Sequence, residues 1–365
     1  MLRNRKWGRL FALSLVLLLA TAALVGCAAD DKADVTPTEK TITDMGGRTV
    51  TVPSKIERVL SSGPPGGIIL YTLCPDKMVG WNTELREGEK RFIKEKYQKL
   101  PVVGGWYAKN TGNIEEILKV KPDVVISMGY MDENSAKQAD TIQEQLGIPV
   151  VLADWSLTKM DKTYEFLGDL LGEKEAAKKM AKYCKDTVSD IQEKSKKIEE
   201  GKRVSVYYAE GAKGLQTDPK GSQHTEVLDL VGGVNIANVE LKGGMGMSEV
   251  SLEQVLAWDP DVIITWNQEQ SGYYPQLLED PKWKELKAVK EGKVYEIPCA
   301  PFSWFDRPPS VNRILGLKWL GNALYPDIYN YDLTKEIKEF YSLFYHSDIS
   351  DQDAKDLLKN AVPKK

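Results

Sequence analysis

The residues best equipped for chemistry fall in one run, Ala300-Pro-Phe-Ser-Trp-Phe-Asp-Arg-Pro-Pro-Ser310. Arg307 carries a permanent cation on a planar fork that suits carboxylate, phosphate or oxyanion groups. Pro308 and Pro309 fit the first turn of a helix running to about residue 324, with Asp306 as its cap. Such a helix would turn its N–H groups and positive dipole end towards an anion. Arg307 can equally bridge to Asp306 or another carboxylate, and the sequence leaves both roles open. His224, in Gly221-Ser-Gln-His-Thr225, is either a polar turn residue or a ligand contact. Met245 and Met247 are either soft metal ligands or packing residues of a Gly-rich loop. With 2 histidines in 365 residues, a His-rich zinc or manganese cage is excluded, and no resident metal or cofactor is expected. Nucleophile elbows and His-x-x-x-His pairs are absent from the sequence. An exported α/β hydrolase or lyase with a carboxylate-only site is the rival class.

These residues need a scaffold, and the chain alternates strand and helix patterns. A hairpin is expected over 41–52 around Gly46-Gly47. Strands follow at 58–61, 123–127, 149–152, 204–209, 261–266 and 294–297, separated by helical periodicity. That pattern predicts an α/β fold with mainly parallel sheets. Ligands in such folds gather beyond the carboxyl ends of strands. The rule selects Ser62, Gly63, Trp106, Tyr107 and Tyr130 from the first half, together with Asp154 and Trp155. From the second half it selects Tyr208, Glu210, Trp266 and the run holding Trp304, Phe305 and Arg307. So many aromatic walls suit a large, partly apolar ligand.

An internal repeat divides the scaffold. Residues 114–127 align without a gap to 252–265, with 6 of 14 positions identical. Each copy reads as a short helix, a Pro-Asp turn and a buried strand, so two similar lobes are expected. Ile114, Ile117 and Leu118, like Leu252, Val255 and Leu256, are read as the inward stripe of each helix. Glu115 and Glu253 then face outward at equivalent places. Between the lobes, 173–200 has apolar residues at three- and four-residue steps and no Gly or Pro, which predicts one stiff helix of roughly 40 Å.

The N-terminus is basic to Arg9 and then apolar to Val25, the pattern of an export signal. Leu24-Val25-Gly26-Cys27 resembles a bacterial lipoprotein box, which implies cleavage before Cys27 and lipidation of its sulfur. Loss of the signal takes the net charge from −4 to −8, leaving no electrostatic footprint for nucleic acid. Cys74, Cys184 and Cys299 remain; buried thiols are expected for Cys74 and Cys184, and a single disulfide is left open. The expected organisation is signal 1–26, flexible tether 27–40, N-terminal lobe 41–158, linker 159–201, C-terminal lobe 202–330 and helical extension 331–365.

The opening Ile42-Thr-Asp-Met-Gly-Gly-Arg-Thr-Val-Thr-Val-Pro53, with Arg58-Val-Leu-Ser-Ser62, resembles the periplasmic-binding-protein family for iron complexes and vitamin B12. Both repeat copies and the stretch from Leu228 to Asn235 fit it as well, so the resemblance runs from about residue 41 to 325. It implies two α/β lobes joined by a single long helix, with ligand in the cleft between them. It also implies delivery of an iron–siderophore, haem or corrinoid complex, its metal iron or cobalt, to an ABC permease dimer and its ATPase. A related branch carries molybdate or tungstate. Trp304 and Trp106 match aromatic cleft positions of the family, and Glu115 and Glu253 match the glutamates that dock into the permease. The expected protein is a monomer outside the cytoplasm, held to the membrane by its lipid alone. A ligand-sensing lipoprotein is a further alternative.

Overall fold

A computed structural model describes residues 38–108, 110–241 and 246–363. The signal, most of the tether, Cys27 and Met245 lie outside the described residues. Strands β1 (Glu39–Thr43) and β2 (Thr49–Pro53) pair antiparallel. Along β2, Val50 and Val52 point inward while Thr49 and Thr51 face solvent, the two-residue period of a half-buried strand.

The first lobe is built on a parallel sheet of order β3 (Val59–Ser61), β4 (Val124–Gly129), β5 (Val150–Asp154). These strands are almost continuous Val, Ile and Leu because helices cover both faces. The second lobe repeats the plan with four parallel strands, β11 (Val294–Glu296), β10 (Val262–Thr265), β6 (Ser205–Ala209) and β8 (Val234–Asn235), in that order. A small antiparallel pair, β7 (Gln216–Thr217) and β9 (Ser248–Glu249), stands beside it.

Helix α1 (Pro64–Leu73) follows β3. The repeat is visible as α2 (Ile114–Lys119) before β4 and α3 (Leu252–Trp258) before β10. Each has a side-chain N-cap: Asn113 accepts from the Glu116 N–H, and Ser251 accepts from the Gln254 N–H. One expectation about these helices fails. Ile117 is buried, but Ile114 and Leu118 are 37% and 43% exposed. A helix of only 6 residues turns a single position fully onto the sheet, so the rest of the apolar stripe is left at the surface.

Helix α4 (Met160–Leu171) ends at Gly172 in the left-handed region, and α5 (Lys174–Ser195) returns along it. At 22 residues, α5 is about 33 Å long. It is shorter than the pattern 173–200 predicts, because the chain turns after Ser195 and tucks Ile198 into the core. It packs on α4 from the first lobe and on α8 (Asn312–Leu324) from the second.

The C-terminal residues do more than extend the second lobe. Helix α9 (Leu333–Tyr345) lies against both α1 and α8. Tyr345 meets Tyr71 of α1 with ring centres 6.0 Å apart, and Phe344 meets Tyr164 of α4 at 5.7 Å. One apolar core therefore runs from Val59 and Ile69 through Tyr164 and Cys184 to Trp304, Trp319 and Phe344. A buried polar contact also joins the halves. Arg313 of α8 donates to the Trp155 carbonyl (2.5 Å) and to Glu226 (3.0 Å), which itself accepts from the Leu157 N–H (2.9 Å). Cys74, Cys184 and Cys299 are all free and buried, so no disulfide links them.

Candidate ligand cleft

A cavity of about 610 Å³ opens between the lobes, lined from both. Its first-lobe wall starts where β3 and β4 end. Ser62 and Gly63 follow β3 directly, and the Ser62 hydroxyl donates to Ser127 on β4 (3.0 Å). Trp106 is brought alongside by its N–H, which donates to the Ser62 carbonyl (2.7 Å). Gly105 makes that approach possible, since a Cβ there would lie 2.4 Å from the Ser62 oxygen. Asn82 ties the same corner together, donating to the Ser61 and Gly104 carbonyls at 2.8 Å each. Trp81, Tyr107, Trp155 and Phe302 complete an aromatic lining.

A helix N-terminus does meet this cavity, but it belongs to α1 in the first lobe. Its first two residues are Pro64 and Pro65, which have no N–H to offer. The next donors, Gly66 and Gly67, both turn back to the Gly63 carbonyl, and the Gly63 N–H is taken by Ser61 Oγ. This end of α1 is capped internally instead of being left open for an anion. The expected second-lobe helix starts four residues late, at Asn312. Arg307 and Pro308 each precede a proline, which keeps them out of the helical region, and Arg307 takes φ 54°. Pro308 and Pro309 line the cavity as loop residues, and Asp306 faces His224 instead of capping.

Arg307 reaches the cavity edge, but its guanidinium is paired. Nε donates to Glu210 (2.8 Å) and one terminal nitrogen donates to Asp218 (2.6 Å), while Asp306 lies 3.3 Å away. Burial works against the charged guanidinium, yet Asp306 and Glu210 outweigh it and hold its pKa above that of an ordinary arginine. Burial also pushes the Glu210 carboxyl well above the usual range; Asp218 adds to the rise and Arg307 opposes it. His224 Nδ1 lies 3.0 Å from Asp306 Oδ1. Behind it, the Ser222 hydroxyl donates to Asp218 (2.7 Å) and accepts from the His224 N–H. The second cation of the lining, Arg86, is likewise paired, with Glu89 at 2.5 Å.

Of the residues singled out in sequence, Ser62, Gly63, Trp106, Tyr107, Trp155, His224 and Arg307 line the cavity, with Phe302, Pro308 and Pro309 of the 300–310 run. The others do not, for identifiable reasons. Trp304 and Phe305 are 0% exposed and belong to the core that α9 closes, where the Tyr341 hydroxyl donates to the Ala300 carbonyl. Tyr208 is buried edge-on to Phe305 at 4.7 Å, and its hydroxyl accepts from the Trp266 indole (2.6 Å), so both rings support the wall from behind. Tyr130 stands edge-on to Trp155, one layer back. Sequence reasoning missed Trp81, Asn82, Arg86 and Glu89. They follow a bridge from Val59 to Met78 that is too short to show as a strand pattern. Asp218 was missed because β7, which presents it, has only 2 residues. Glu115 and Glu253 are both exposed, one on each lobe.

Residues 86–301 match the family described as periplasmic binding protein. The chain belongs to that family. Its members of this two-lobed, class III type are substrate-binding proteins of ABC transporters, working outside the cytoplasm with a permease and an ATPase. A solved ABC transporter solute binding protein from Sulfurospirillum deleyianum shares the fold at TM-score 0.80 and 33% identity, over 87% of this chain and 99% of that one. The molybdate-binding protein MolA of Haemophilus influenzae is 26% identical over 91% of this chain and 98% of its own length. An Fe(3+)-citrate-binding protein of Bacillus subtilis, YfmC, is 28% identical over 50% of this chain and 56% of its own. Among the described residues of this periplasmic binding protein, no helix is long and apolar enough to cross a membrane.

Proposed function

We propose that this periplasmic binding protein captures a metal complex, an iron chelate or a corrinoid, and hands it unchanged to an importer, tethered by a lipid on Cys27. The observation that carries the reading is the cleft itself. Its volume lies in the range of roughly 300–1,000 Å³ usual for small-molecule sites, and Trp81, Trp106, Tyr107, Trp155 and Phe302 supply apolar walls. Both lining arginines are paired with carboxylates, and the α1 N-terminus has its donors occupied. A bare oxyanion would find few unpaired donors, whereas a bulky complex would cover the rings. Glu115 and Glu253 are the proposed contacts to the two permease subunits.

A second reading, molybdate, is favoured by the similarity to MolA along nearly the whole chain. Calorimetric titration of the mature protein with ferric citrate, haemin, cyanocobalamin and molybdate separates the two. One metal complex is expected to bind saturably and at least tenfold more tightly than molybdate. Tighter binding of molybdate would replace the first reading with the second.

A further inference from the structure

The second-lobe wall holds more acid than its arginine can balance. Glu210, Asp218 and Asp306 are all buried around the one Arg307 guanidinium. Buried carboxylates need a proton or a cation each, because isolated buried charge is costly. Glu210 Oε2 makes the excess visible: its residue is 0% exposed and no hydrogen bond reaches the atom. One donor atom each from Asp218, His224 and Asp306 lie within 4.8 Å of one another. Bonds of about 2.1 Å to a shared ion set ligands roughly 3–4 Å apart, so a small contraction would close the set.

We infer that Asp218, His224 and Asp306 bind a divalent first-row transition-metal ion at the second-lobe edge of the cleft. One imidazole and two carboxylates form a borderline-to-hard set, suited to manganese, iron or zinc more than to copper(I). Asp218 keeps Ser222 and Arg307 as partners, since each carboxylate oxygen has a second lone pair. In the bound form Nε2 carries the ring proton and the Nδ1 lone pair, which faces Asp306 at 3.0 Å, turns to the ion. Gly246 completes the cradle by lying so close that a Cβ there would sit 1.8 Å from Asp218 Oδ1.

This inference deepens the metal-cargo reading and rests on it. The test is calorimetry on the tagless mature protein after chelator treatment, with Mn²⁺ and Zn²⁺ alone as probes. One ion per chain is expected, with His224→Ala weakening it at least tenfold while its far-ultraviolet circular dichroism stays that of the folded protein. Asp306→Asn should weaken it similarly, and His224→Ala serves if that buried variant does not fold. Absence of saturable binding, or equal affinity in His224→Ala, would overturn the assignment and leave protons as the balancing charge. Ferric citrate titrated in parallel distinguishes the failures: if it binds while the bare ions do not, the transport reading stands without direct coordination.

Discussion

Arg307 shows how far a residue type can be read without its neighbours. Its charge, its place after Asp306 and its position at the cleft were legible; its partners were not. Glu210 and Asp218 lie 97 and 89 residues away and reach it only through the sheet. Replacing Arg307 by Ala should therefore act first on stability. Removing one partner of a buried network costs about 3–5 kcal/mol because the other charges are left uncompensated. Urea unfolding should show a loss of that order, and an unchanged midpoint would mean that the carboxylates need no cation. Trp304 carries the opposite lesson. Its motif was legible and its direction was not, because the element that buries it comes 29 residues later in the chain.

Elements were legible wherever their period was long enough to show. All six expected strands are present within two residues of their expected ends, the hairpin is where the pattern puts it, and the interlobe helix starts on cue but stops at Ser195 instead of running to 200. The losses are short: the bridges at Met78 and Val102 and the pair β7–β9, each too brief for alternation to register. Yet such connections carry much of the cleft. The loop through Gly104 and Gly105 has no regular structure, and it still sets Trp106 against Ser62 by a hydrogen bond and a contact that no side chain could share. Gly105→Ala should separate the two, leaving the far-ultraviolet circular dichroism unchanged. Affinity for the preferred metal complex is expected to fall at least tenfold, about 1.4 kcal/mol. Wild-type affinity would show that the ligand does not rest on the Trp106 corner.

Two lobes that share a core behave as one body. Residues of α1, α4, α5, α8 and α9 form a single apolar cluster, and Arg313 holds the Trp155 carbonyl across the divide. The duplicated plan and the strut were readable in the repeat and the long amphipathic stretch; the shared core was not, since nothing in 331–365 signals that it returns to the first lobe. Glu115 and Glu253 ride on opposite halves of this body, so their spacing should change little with ligand. The Glu115→Ala/Glu253→Ala double variant is expected to bind ligand as the wild type does and to lose uptake in cells lacking the native protein. Unimpaired uptake would remove both glutamates from the permease interface. The position of α9 also bears on how the chain folds. Tyr71 and Tyr164 find their partners Tyr345 and Phe344 on a helix that follows the second lobe in the chain. The amino-terminal half therefore completes its core with rings that the chain supplies only after the whole second lobe, so its stability is pledged to contacts of long sequence separation.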